Sequence, residues 1–280
     1  MRKLTVALLL VTLPFAASAA DQCQFTASRS VDIDAAGLRT LHANLGTTDL
    51  SIVSVPGLGK VEIRGTACAS DATRVKDLNI EGHRTGDDAV LDATHQGGYA
   101  NFGSTGSTYA YLKLEVRVPA SVAVTVVSGS GDVNATGLAS LDYTGGSGDL
   151  SADDIKGALV LKVGSADVKA TQVGSVDLKG TGSGDVHVTG VKGDVHSGRS
   201  GSGDLGFRNV TGSVSIESSG LGDISVSHIG RNVEIGSVAS GDVSAVGVGG
   251  NFTVRASSGG DITHSNVKGK VSVPDHGDDD

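Results

Sequence analysis

The 280-residue chain contains no tryptophan, one methionine, two cysteines, four prolines, five phenylalanines and four tyrosines. Without tryptophan it lacks the side chain with the largest face for stacking on sugar rings. It has no Cys-x-x-Cys and no His-x-x-x-His, so the usual spacings of a zinc cage are missing. Beyond the first residues, nothing approaches the roughly 18 consecutive apolar residues of a spanning helix. Helix-periodic apolar spacing is almost absent as well. With 42 glycines and four prolines, the chain reads as all-β.

Positive charge is also scarce. Arg2 and Lys3 precede an apolar run from Leu4 to Ala16 and the small-residue site Ala17-Ser18-Ala19, the layout of a cleaved secretory signal over residues 1–19. Their loss takes the formal charge from −9 to −11, which leaves no electrostatic grip on nucleic acid or anionic lipid. The mature product is expected in the periplasm, outside the cell or at its surface. Cys23 and Cys68 both lie in the exported part, where oxidation is permitted, and are expected to form a disulfide. That bridge would tie the mature N-terminus to a strand ending near Cys68 and stabilise by about 2–4 kcal/mol.

What is abundant is a Gly-Asp-aliphatic triplet. It recurs at Asp132-Val133, Asp149-Leu150, Asp167-Val168, Asp185-Val186, Asp204-Leu205, Asp223-Ile224, Asp242-Val243 and Asp261-Ile262, at intervals of 17, 18, 18 and then 19 residues. Ala166 replaces the glycine once. A second motif, offset by half a period, runs through Gly193-Asp194-Val195, Gly212-Ser213-Val214, Arg231-Asn232-Val233, Gly250-Asn251-Phe252 and Gly269-Lys270-Val271. Each coil therefore holds two short alternating strands that point aliphatics inward, and equivalent strands of successive coils pair in parallel. The expected fold is a parallel β-helix, or solenoid, with coils of about 19 residues. Glycine in the triplet is expected to supply positive φ at a sharp corner, and the aspartate to accept from a nearby amide in an Asx turn.

Composition divides the exported chain into an N-terminal β module over residues 20–127, a repeat region over 128–273 and an acidic tail over 274–280. The module is expected to cover one open end of the stack, because an uncovered end is an unpaired edge. Pro274 and the tail are placed to blunt the other.

The run Leu112-Lys113-Leu114-Glu115-Val116-Arg117-Val118-Pro119, then Val122-Ala123-Val124-Thr125-Val126, then Ser128-Gly129-Ser130-Gly131-Asp132-Val133 resembles the putative adhesin family of exported bacterial proteins. The similarity spans roughly residues 40 to 273. It implies a right-handed β-helix and a cell-surface or envelope setting, and it implies no catalytic residues.

The aspartate column Asp185, Asp204, Asp223, Asp242 and Asp261 is the candidate calcium ladder, since calcium takes several oxygen ligands. The half-repeats carry Ser213, Asn232, Asn251 and Lys270 rather than a second carboxylate, which favours turn chemistry and no cofactor. A carbohydrate-active β-helix enzyme, a polysaccharide lyase or hydrolase, is the alternative. It would need paired carboxyls about a scissile bond, and the one adjacent pair, Asp153-Asp154, is split by strand alternation. His187 and His196 are nine residues apart and fall on different faces. The partner-binding candidate is the aromatic group Tyr99, Phe102, Tyr109 and Tyr111 around a Gly/Ser-rich loop, unless Tyr109 and Tyr111 pack on the module instead. The sequence thus points to a non-catalytic interaction scaffold for a protein or glycan partner.

Overall fold

The computed structural model describes residues 23–93, 101–103 and 106–274. The leader, Tyr99 and the aspartates Asp278 to Asp280 lie outside the described residues. Two sheets of twelve strands each enclose one continuous hydrophobic core. Their parallel part is a β-solenoid, in which each coil contributes one strand to each sheet. The only helix among the described residues is the short Ala72–Asp77, capped by Asp71, whose Oδ1 accepts from the amides of Thr73 and Arg74.

Parallel register explains why the repeat is read so clearly in the sequence. In the first sheet Leu50, Val133, Leu150, Val168, Val186, Leu205, Ile224, Val243 and Ile262 stand in one column. In the second sheet Leu41, Val124, Leu141, Leu159, Val176, Val195, Val214, Val233, Phe252 and Val271 form another. Like side chains stack on like at the strand spacing of about 4.8 Å. Burial follows the alternation: Val186 and Val188 are buried while His187 between them is exposed.

The solenoid begins earlier than the glycine-rich composition. Strands Thr40–Gly46 and Asp49–Val55 form a coil of the same kind, pairing in parallel with Ala123–Ser128 and Val133–Thr136. Thr48-Asp49-Leu50 occupies the place of the Gly-Asp-aliphatic triplet. Strands Asp88–Asp92 and Ala110–Pro119 pair in parallel with the other side of this coil, the aspartate row resumes 83 residues later at Asp132, and both sheets run without a break through residues 127 and 128.

Beyond that first coil the pairing turns antiparallel. Strand Ala110–Pro119 pairs in parallel with Asp49–Val55 but antiparallel with Lys60–Ala69, and Phe25–Asp34 pairs antiparallel outside that. In the other sheet Glu81–Thr85 closes antiparallel on Asp88–Asp92. The two outermost strands meet each other: a Cβ added at Gly82 would lie 2.7 Å from Val31 Cγ1. The helix seals one flank, with Arg29 donating to the carbonyls of Leu78 and Val75 at 2.8 Å each. Cys23 and Cys68 are joined in a disulfide at the outer edge of this layer. On its surface, hydrogen bonds from Arg64 and Lys60 hold the Asp32 carboxyl below the usual carboxylate range.

Candidate functional site

The aspartate column is the most regular chemical feature of the surface. Each Oδ1 accepts a hydrogen bond from the backbone amide of the equivalent aspartate one coil further on. The chain of bonds runs Asp49, Asp132, Asp149, Asp167, Asp185, Asp204, Asp223, Asp242, Asp261, with N to O distances between 2.8 and 3.1 Å. The expected Asx turn within one coil is thus replaced by a bond between coils. Neighbouring carboxylates repel by about 0.9 kcal/mol at this spacing in water, whereas a hydrogen bond to a charged acceptor contributes about 1.5–3 kcal/mol, so the ladder is net stabilising. The half-repeat motif builds a second, interrupted ladder, from Asp194 to the Ser213 amide and from Asn232 through Asn251 to the Lys270 amide.

Of the triplet glycines only Gly260 has the expected positive φ, at 78°, whereas Gly203 and Gly222 do not. A Cβ at Gly222 would stand 2.0 Å from Gly203 O, and one at Gly203 2.1 Å from Gly184 O. Glycine is favoured because successive coils touch backbone to backbone at this corner, and Ala166 and Thr48 are the departures. Buried hydroxyls hold the corner from inside: Ser128, Thr181, Ser200 and Ser219 donate to the carbonyls of Gly131, Gly184, Gly203 and Gly222. In one coil that position is Gly145, and the Tyr143 hydroxyl fills the gap and donates to Gly148 O at 3.0 Å. Burial, followed by the charges of Asp132 and Asp149, pushes the Tyr143 phenol up to about 12.

A regular row of positive φ occurs at a different corner. Gly137, Asp154, Gln172, Gly190, Asn209, His228, Gly247 and Asn266 all lie between φ 55° and 81°, one per coil. This row shares a conformation and no residue type, so periodicity in the sequence does not reveal it. Beside it runs a shallow groove of about 520 Å³ edged by Asn209, Thr211, His228, Asn266 and Lys268. A second depression of about 530 Å³ crosses the outside of the first sheet, between the ladder carboxylates Asp149, Asp167 and Asp185 and the side chains of Lys169, Thr171 and His187.

The other sequence candidates are dispersed. Tyr109 and Tyr111 sit half-buried with ring centroids 6.2 Å apart. The Tyr109 hydroxyl accepts from the Gln24 amide at 3.0 Å, and the Tyr111 hydroxyl lies 3.3 Å from Cys23 Sγ. Both therefore hold the N-terminal segment and its disulfide. Phe102 lies in the two-stranded ribbon of Asn101–Gly103 and Gly106–Thr108. Asp153 accepts from the Thr171 hydroxyl on the sheet, whereas Asp154 pairs with Lys156 at the left-handed corner. His187 and His196 lie in opposite sheets. Among the described residues no three His, Cys, Asp or Glu side chains converge to hold a metal, and no helix is long and apolar enough to cross a membrane.

Residues 59–275 match the profile of the Toastrack DUF4097 family, and the chain belongs to that family. No curated protein matches it. Solved structures similar to it include a putative adhesin from Parabacteroides merdae, 11% identical over 90% of this chain and 97% of that one with a TM-score of 0.44. Another is a putative adhesin from Bacteroides fragilis, 13% identical over 90% and 98% with a TM-score of 0.39. A putative cell adhesion protein from Clostridium sporogenes is 12% identical over 89% and 99%, with a TM-score of 0.30.

Proposed function

We propose that the protein is a non-catalytic, exported scaffold that presents its outer sheet faces to a protein or glycan partner in the envelope or at the cell surface. The observation that carries this reading is the use made of the polar side chains. The ladder aspartates are bound to backbone amides of the next coil, and the adjacent Asp153 and Asp154 are bonded to different partners in different settings. A glycosidase needs two carboxyls held on either side of one bond, and aspartates spent on joining coils are poorly suited to that role. No cofactor is required in this reading, calcium included. The leader-like residues 1–19 support export.

The test is solid-phase binding of the purified chain to separated envelope fractions, namely peptidoglycan, surface polysaccharide and envelope protein. Released reducing ends and unsaturated sugar products are measured in the same wells. Saturable binding to one fraction without sugar release is expected. Release of sugar products establishes the enzyme instead, and no saturable binding to any fraction refutes the scaffold.

A further inference from the structure

Charge is distributed unevenly around the cross-section of the later coils. Asp204, Asp223, Asp242 and Asp261 occupy one corner. The opposite corner, where the first sheet hands the chain to the second, runs through residues 206–213, 225–233, 244–253 and 263–273, and none of these is aspartate or glutamate. It carries Arg208, Arg231, Lys268 and Lys270, all exposed, together with His228. Elsewhere on the solenoid Lys156, Lys179, Arg199 and Arg255 are each paired with a carboxylate. Among the described residues Arg231, Lys268 and Lys270 form no such pair. The strand Ile224–Ile229 sets the two corners about 20 Å apart. That is more than twice the Debye length of about 8 Å at physiological salt, so the aspartate ladder does not cancel the positive corner.

The groove of about 520 Å³ lies in this corner, and part of its floor is bare backbone. In the left-handed row Gly247 stands between His228 and Asn266, and in the row beside it Gly230 and Gly249 stand between Thr211 and Lys268. Stacking demands glycine at two of these places. A Cβ at Gly230 would lie 2.2 Å from Thr211 O, and one at Gly249 2.3 Å from Gly230 O. At Gly247 the nearest atom would be 3.7 Å away, and Asn209 and Asn266 hold a left-handed conformation with a side chain in place.

We infer that this groove binds a linear acidic polysaccharide, a chain of sugars bearing carboxylates, laid along the solenoid axis. The cations are not engaged in internal ion pairs, so a carboxylate meets them without displacing a partner. Arg231 and the pair Lys268 and Lys270 stand two coils apart, about 10 Å, and one chain can reach both. Between them the amides of Asn209 and Asn266 and the hydroxyl of Thr211 offer donors and acceptors to sugar hydroxyls. The glycine floor leaves room for a ring where a side chain would otherwise stand. A membrane surface or a nucleic acid duplex is a broad polyanion that would also face the net charge of −9, whereas a single glycan chain stays within the positive corner. The inference rests on the reading of the chain as an exported scaffold, and gives that scaffold one ligand class and one location.

The test is isothermal titration calorimetry of the purified chain with oligogalacturonate, against neutral oligogalactan, inorganic phosphate and anionic phospholipid vesicles. Saturable binding of the uronate is expected, weakening as salt rises from about 0.02 to 0.15 M, with the three comparison ligands weaker. Arg231→Glu and Lys268→Glu should each weaken binding about fivefold. Gly247→Asn fills the floor and keeps both the charge and a residue type the left-handed row already holds, so it should weaken binding to a similar degree. Lys169→Glu makes the same change in net charge on the outer face of the first sheet and should leave the affinity nearly unchanged. Circular dichroism checks that each variant keeps the fold. Four results would overturn the inference. They are no saturable binding of the uronate; equal binding of the neutral glycan; phosphate or vesicles bound as tightly, which assigns the corner to another class of anion; and binding that ignores Arg231→Glu and Gly247→Asn or responds equally to Lys169→Glu. In any of these cases the scaffold reading still stands if an envelope fraction binds the chain, and falls only if none does.

Discussion

Replacing Gly222 with alanine tests whether the coils are held apart by one atom. The added Cβ would lie 2.0 Å from Gly203 O and 2.5 Å from Gly203 C. Both are backbone atoms, so no side chain can rotate away. Restoring an ordinary contact means opening the joint by about 1 Å. The Asp223 amide now reaches Asp204 Oδ1 at 2.8 Å, and the Leu205 amide reaches Asp223 O at 2.8 Å. An opening of that size takes both beyond hydrogen-bonding range. Two lost bonds, one to a charged acceptor, cost about 2–4 kcal/mol, and the overpacking adds about 1–3 kcal/mol. The total of roughly 3–7 kcal/mol should lower Tm by roughly 10–20 °C for a protein of this size. Gly59→Ala is the control, since a Cβ there meets nothing within 4 Å. Thermal and urea unfolding by circular dichroism would give the size of the effect. Hydrogen exchange at Leu205 and Asp223 would locate it, because a solenoid need not unfold in one step. If Gly222→Ala unfolds within about 2 °C of the wild type, close backbone contact is not what selects glycine at this corner.

Removing the acceptor at one rung, Asp223→Ala, leaves the Asp242 amide without its partner and should cost about 1–2 kcal/mol in urea unfolding. Asp223→Asn keeps an acceptor oxygen, as Asn232 and Asn251 do in the other ladder, and should cost less than half as much; equal losses would remove hydrogen bonding as the cause. Millimolar calcium, compared with a chelated control, should leave Tm unchanged, and a rise of several degrees would reveal a site on the native state. Because the fold holds the Tyr143 phenol neutral up to about 12 against an ordinary 10, its contribution to stability is complete below pH 10 and lost as pH rises from there through about 12. Ultraviolet titration should show one late phenol, absent in Tyr143→Phe. Ser197 is fully buried with its hydroxyl unpartnered among the described residues, so Ser197→Ala should stabilise by about 1 kcal/mol; a loss of stability would mean that the hydroxyl has a partner.

How much could be read in advance depended on whether a position is repeated by type or by conformation. The inward columns and the triplet are repeated by type, so all-β class, parallel pairing and coil length followed from Val133, Leu150, Val168 and their successors. The first coil stayed hidden because Thr48 stands in the glycine place and a long excursion separates Asp49 from Asp132. Thr48 is tolerated there with its hydroxyl donating to Ala93 O at 3.2 Å. The left-handed row stayed hidden because Gly137, Gln172 and His228 resemble one another only in φ. The aspartates from Asp132 to Asp261 are visible in the repeat, but which amide each one holds depends on stacking that no single coil contains.

Stacking also explains why the scaffold is more legible than its partner. A residue that faces the core or the joint must agree with the coils before and after it, so each is constrained twice and the pattern is reinforced. An outward residue such as Lys169 is under no such double constraint. The informative positions are therefore those where an inward or joint column breaks its own rule. Gly145 breaks one and is compensated within the coil by the Tyr143 hydroxyl. Thr48 breaks another and is compensated by Ala93 O. His264 breaks the column of Ala135, Ala152, Ala170, Val188, Phe207, Val226 and Ala245, and is exposed beside the Phe252 ring. Ser197 breaks the inward column of Leu178 and Ile216 and is not compensated, since its hydroxyl is buried without a partner among the described residues.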